Sequence, residues 1–243
     1  MKKILSILFL LIFPFFSCSD DNSTQHVLYP ITTEYDNFTF IIYEDVTDAE
    51  VSAVLDSLND NYNRIITHLR VSNMPQVTVR IWAQAHSNDF YDAMQVTIGQ
   101  IYLGATGYTP LATEMRLLYN PISATEAVHE FAHLVSIALK SNISNNPRWL
   151  WEAIAQYESR MFDPSSLWQP SDLNWPGFTA LNQYNSYLPY LWGYFISSFI
   201  IDQWGDDGFI NIIRANGDVQ RTFGMSEQEF GSMVENYVRT WGE

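Results

Sequence analysis

The sequence predicts an α+β protein with a small sheet in its N-terminal half and a helical C-terminal half. Three observations carry this. The β-rich stretches "FTFIIYE" (38–44) and "QVTVRIW" (76–82) both fall in the first half. Apolar residues at helical spacing separate them. Beyond Ser123 almost every stretch has a helical pattern. No internal repeat or low-complexity tract interrupts the chain, so one domain is expected over 37–243.

The elements follow in order. The first strand is 38–44. Thr47 and Glu50 then form a capping box ahead of a helix to about Arg70, with Val51, Val54, Leu55, Leu58, Tyr62 and Ile65 facing inward. The second strand is 76–82. A short helical piece near 86–94 and strands at 100–104 and 114–119 complete the sheet-bearing half. The 114–119 strand is expected at the edge of a cleft, able to pair with an extended peptide, with Arg116 either pointing into it or, as is commoner for a strand arginine, simply solvated. Ser123 and Glu126 make another capping box, opening a helix from about 124 to Lys140. "SNISNN" (141–146) breaks that helix, and Asn146 followed by Pro147 offers an N-cap with proline at the first helical position of the next.

The chain begins with Lys2 and Lys3 and an apolar run from Ile4 to Phe16. Thirteen residues are too few to span a bilayer and suit the h-region of a secretory signal. The run stops at Ser17 and Cys18, the only cysteine. That ending resembles a bacterial lipobox, although Phe15 and Phe16 depart from its usual residues. The following "SDDN" resembles the acidic tract of surface lipoproteins of the Bacteroidota. The resemblance implies a signal peptide at 1–17, lipidation of Cys18, a polar tether over 18–36, and an outer-membrane or cell-surface location in a Gram-negative bacterium. With Cys18 lipidated no disulfide is possible, so about 225 residues must be held by a hydrophobic core.

Taking Lys2 and Lys3 from the 12 basic residues leaves 10 against 27 acidic ones, a net charge of −17. Nothing basic is clustered, which argues against a nucleic-acid partner. The same charge disfavours adhesion to anionic lipid, so membrane association is expected through the lipid anchor alone. A monomer is expected.

Within the helix that opens near 124 lies "AVHEFAH" (127–133). Residues four apart share a helix face, so His129 and His133 can present their imidazoles to one ion. Glu130 lies about 100° further round, where a general base belongs. Zinc hydrolysis needs neutral nitrogen ligands, an open position for water and a carboxylate that takes the water's proton. Two histidines on a helix surface would look the same, so a third donor decides. From His133 to Lys140 the first helix climbs about 10 Å, and from Pro147 to Glu152 the second descends about 7.5 Å. An antiparallel pair therefore returns Glu152 to the level of His133.

"HEFAHLV" with "PRWLWEAIAQYES", 18 residues separating His133 from Glu152, resembles the gluzincin metallopeptidases of the peptidase MA-like family. These are relatives of the aminopeptidase N family and, more distantly, of thermolysin. Trp149, Leu150, Glu152, Ala155 and Tyr157 match the family's pattern, with Ala153 where glycine is usual. The resemblance implies a zincin-like (thermolysin-like) fold and one Zn2+ per chain, held by His129, His133 and Glu152. It also implies Glu130 as general base and a peptide or protein substrate. Gln156 stands where thermolysin-like enzymes place a carboxylate that orients the first histidine. The aminopeptidase N family stabilises the reaction's anion with a tyrosine in Pro-Tyr-x-x-Gly. "LPYLWGYFISSFIIDQWG" has Pro189, Tyr190 and Gly193 in that pattern, with Tyr184, Tyr187 and Tyr194 as competitors. The Gly-x-Met-Glu-Asn segment by which that family recognises a free amino group is missing, so an aminopeptidase is not implied. Two alternatives remain. One is a catalytically inactive zinc-binding surface lipoprotein. The other is a glycan-binding lipoprotein using Trp149, Trp151, Trp168, Trp175 and Trp192 as a sugar platform.

Overall fold

The computed structural model describes residues 30–161 and 173–241, and it has the mixed α+β architecture expected. The segment expected as a signal peptide, Cys18 and Trp168 lie outside the described residues. Five strands form one sheet. β1 (Ile31–Glu34) is antiparallel to β2 (Phe38–Ile42), and β3 (Val77–Trp82) is parallel to β2. β5 (Glu114–Leu118) is parallel to β3, and β4 (Gly107–Leu111) pairs antiparallel with β5 at the sheet's end. Helix α1 (Asp48–His68) supplies the crossover that parallel β2 and β3 require. Its expected capping box forms in full, with Thr47 N donating to Glu50 Oε2 at 2.7 Å and Glu50 N to Thr47 Oγ1 at 3.3 Å.

Period-two alternation divides the strands between two faces. Phe38, Phe40, Val79, Ile81, Met115 and Leu117 join the main core with α1 and α3 (Ser123–Leu139). Trp82, Tyr108 and Leu118 instead meet Phe90 and Met94 of α2 (Ser87–Ile98) in a smaller cluster. In the C-terminal half α4 (Arg148–Ser159) packs against both α3 and α6 (Leu188–Arg214). Gly193 makes the α4–α6 contact possible: a Cβ there would lie 2.9 Å from the Ala153 Cα. α5 (Phe178–Leu181), α7 (Val219–Phe223) and α8 (Glu227–Arg239) close this half. Among the described residues no helix is long and apolar enough to cross a membrane.

Several expectations need correction. Ile31–Glu34, inside the stretch read as a tether, is an edge strand. No strand forms over 100–104. α2 runs on to Ile98 and is capped by left-handed Gly99 (φ 76°), so Ile101 and Leu103 emerge exposed and the next strand starts at Gly107. The 114–118 strand is flanked on both sides, so β4 rather than β5 is the sheet's edge. Arg116 faces α2, buried, 2.6 Å from Glu114 Oε1 and 3.0 Å from the Tyr108 hydroxyl.

The expected capping box of Ser123 and Glu126 does not form. Asn120 Oδ1 accepts from Ile122 N at 2.8 Å, Ser123 Oγ accepts from Asn120 N at 2.8 Å, and Glu126 turns to Asn120 and Thr106. α4 starts one residue later than expected, at Arg148. Pro147 keeps an extended ψ of 141° and is the cap itself.

The last turns of α1 grip α4 through Glu158, whose side chain is fully buried. Its Oε2 accepts from Arg64 at 2.7 Å and its Oε1 bonds to His68 Nδ1. The hydrogen bond to Glu158 outweighs burial and raises the His68 pKa above its ordinary value. A raised pKa means stability that is complete below about pH 6.5 and is lost as pH rises through the folded-state value. His68→Gln should therefore destabilise the protein more at pH 5.5 than at pH 8.5, measured as the difference in urea midpoint from wild type. A difference that does not shrink with rising pH would contradict this.

Candidate metal centre

α3 is buried along most of its length because it lies between the sheet and α4, and this brings polar residues inside. His129, Glu130 and His133 are 5%, 6% and 4% exposed. Ligand-type atoms of the three lie within 4.8 Å of one another, so this buried group can hold a metal ion. The i, i+4 spacing puts the two imidazole centres 4.7 Å apart. The returning helix brings Glu152 to them, as the helix arithmetic expects: its Oε2 lies 3.3 Å from His129 Nε2 and 3.8 Å from His133 Nε2.

Two carboxylates thus flank the histidines, and their partners differ. Glu130 Oε2 accepts from the Thr109 hydroxyl of β4 at 2.7 Å. β4 can come this close because it carries glycine: a Cβ at Gly107 would lie 3.0 Å from Glu130 Oε1. Glu152 Oε1 lies 3.3 Å from Arg148 Nη1, whereas its Oε2 is buried without a hydrogen bond and faces the two ring nitrogens. A buried carboxylate oxygen with no donor is costly. A cation shared with two imidazoles would supply the missing partner. The buried His129, Glu130 and His133 group thus fits an ion, with Glu152 Oε2 facing the same two imidazoles and Glu130 Oε2 engaged by Thr109.

The electrostatics agree. Burial, aided by the His129 and Arg148 charges, drives the His133 pKa well below its ordinary value, which keeps the ring neutral. Burial works to lower His129 too, but the Glu152 carboxylate beside it carries it upward. A proton and a metal ion compete for the same nitrogen pair there. Burial pushes the Glu130 carboxyl up to about 7, against the opposing pull of His129 and the Thr109 hydroxyl. A carboxylate near 7 is suited to taking and returning a proton at neutral pH.

The group opens onto a cleft of about 980 Å3 walled by β4, α3, α4 and the chain around 184–190. Tyr190, near the start of α6, lines it at 39% exposure, its ring 6.3 Å from that of His129. Burial raises its pKa and keeps the phenol protonated. Of its competitors, Tyr184 and Tyr187 also line the cleft, whereas Tyr194 packs against Tyr157 and Trp241 away from it.

Gln156 is buried, but it does not support His129. Its Cγ packs where α6 passes at Gly193, and the Nδ1 atoms of both His129 and His133 have no hydrogen-bond partner. The His133 ring is held by stacking on Trp151 instead, centroids 4.0 Å apart and planes within 5°. Trp149, Trp151 and Trp192 are at most 5% exposed, and Trp175 packs on Phe178 and Trp192, so these four are packing residues and not a sugar platform.

Sequence reasoning missed Thr109, Trp151 in its stacking role, and Arg148. The four-residue spacing from Arg148 to Glu152 was a usable signal for the last. Thr109 had none, because only the strand pairing brings it to Glu130. No protein-family model matches the chain and no curated protein matches it.

Proposed function

We propose that the protein is a zinc-dependent peptidase of the gluzincin type. The supporting observation is a buried pair of imidazoles between two carboxylates of unlike surroundings, one held by a neighbouring hydroxyl and one with an unsatisfied oxygen facing both rings. Two nitrogens and a carboxylate oxygen make a donor set that suits zinc. When bound by His129, His133 and Glu152, zinc supplies Lewis acidity, polarising a carbonyl and acidifying water. Glu130 takes the proton of the attacking water, its Oε1 being the oxygen not bound to Thr109, and returns it to the leaving amine. The Tyr190 hydroxyl donates to the carbonyl oxygen as it becomes negative. β4 ends the sheet among the described residues, so an extended peptide pairing with that edge would lie beside Glu130.

The test is digestion of a diverse peptide library by zinc-loaded protein, read by mass spectrometry. Cleavage should occur, stop with a chelator and return on adding zinc. Fully loaded protein that cleaves nothing would favour the catalytically inactive alternative.

A further inference from the structure

We infer that Arg148 couples the two halves of this site, fixing Glu152 with one arm of its guanidinium and the Tyr190 hydroxyl with the other. The inference rests on the peptidase reading and gives the site a positioning residue. Arg148 is 9% exposed, at the first turn of α4, one turn before Glu152. Its Nη1 lies 3.3 Å from Glu152 Oε1 and donates to Asn145 Oδ1 at 3.2 Å. Its Nη2 donates to the Tyr190 hydroxyl on α6 at 3.1 Å. The guanidinium carbon sits 5.4 Å and 5.8 Å from the ring centroids of Tyr190 and Tyr184. The Nε–H is buried without a partner.

Two consequences follow from the fork. With Oε1 paired to Arg148, Glu152 is oriented to present Oε2 to the histidines. A carboxylate fixed beforehand loses less freedom when it captures an ion. Against this, a cation near a metal site repels the metal. Here the guanidinium is already paired with Glu152, and its charge is spread over three nitrogens, so positioning wins. At the other arm, an N–H donated to the phenol oxygen leaves the hydroxyl hydrogen to point elsewhere and strengthens it as a donor. Only arginine offers two arms at this spacing, whereas lysine keeps the charge and loses the fork.

The test compares wild type, Arg148→Met, Arg148→Lys, Tyr190→Phe and the double variant Arg148→Lys with Tyr190→Phe in two measurements. The first is zinc affinity by competition with a chromophoric chelator. Both Arg148 variants should bind zinc about 10- to 100-fold more weakly, and Tyr190→Phe should bind it as wild type does. If Arg148→Met fails to fold, Arg148→Lys decides. Wild-type or tighter affinity in the folded Arg148 variants overturns the inference, because charge repulsion alone predicts that pattern. The second measurement is kcat and KM on a cleaved peptide. Arg148→Lys and Tyr190→Phe should each lower kcat by roughly 10- to 1,000-fold with little change in KM. The double variant should fall little below the worse single one. Losses that simply multiply would mean that Arg148 does not act through Tyr190, and would overturn the coupling. A wild type that binds zinc but cleaves nothing ends the peptidase reading alone, while the zinc measurement still decides the Arg148–Glu152 arm.

Discussion

Glu130→Gln should lower turnover by a factor on the order of 10² to 10⁴ and leave zinc content at the wild-type level. The substitution keeps the shape of the side chain and removes its ability to accept a proton. The amide can still meet the Thr109 hydroxyl, which now holds Glu130 Oε2 at 2.7 Å, so β4 and α3 should keep their spacing. Zinc should persist because the unsatisfied buried oxygen that faces both histidines belongs to Glu152, not Glu130. Burial lifts the Glu130 carboxyl to about 7, so this group contributes a titration near neutrality to apo-protein that Glu130→Gln lacks. Turnover and zinc equivalents measured on the same preparation check this. Full activity in Glu130→Gln would remove the residue from the mechanism, and loss of zinc would make it a ligand.

Phe131→Ala should be the most damaging single truncation in the helix that carries the motif, costing about 3–5 kcal/mol. Phe131 is fully buried and holds three elements together. Its ring meets Phe38 of β2 edge-on at 5.7 Å and stacks on Tyr62 of α1 at 5.3 Å, which ties both to α3. Domains of this size are stable by about 5–15 kcal/mol, so the loss is a large fraction of the whole. The urea midpoint should fall by on the order of 1 M or more. Phe131→Leu retains most of the volume and should cost far less. Equal midpoints for the alanine variant and wild type would show that the α1–α3 face is not a principal source of stability.

Much of the site was legible in the chain because its parts are local. His129, Glu130 and His133 occupy one stretch of helix, and helix rise alone brings Glu152 to their level across a short turn. The capping box at Thr47 and Glu50 was legible for the same reason. What could not be read depends on partners remote in sequence. Ser123 and Glu126 have the spacing of a capping box, but Asn120 and Thr106 offered them better hydrogen bonds. Arg116 alternates correctly within its strand, yet which face met α2, and which strand was left at the edge, followed from pairing order. The 100–104 stretch had apolar residues at suitable positions and no neighbouring strand to receive them. Gln156 has the right place on α4 to reach a histidine, but the close passage of α6 at Gly193 packs its stem elsewhere.

His129, His133 and Glu152 together should hold one zinc ion. Metal analysis of purified protein tests it most directly, after stripping with a chelator, reloading with zinc and desalting. Wild type should retain about one equivalent per chain and Glu152→Ala far less, since three protein donors are needed for tight binding. Reloaded wild type with less than about half an equivalent, or Glu152→Ala with as much zinc as wild type, would contradict it.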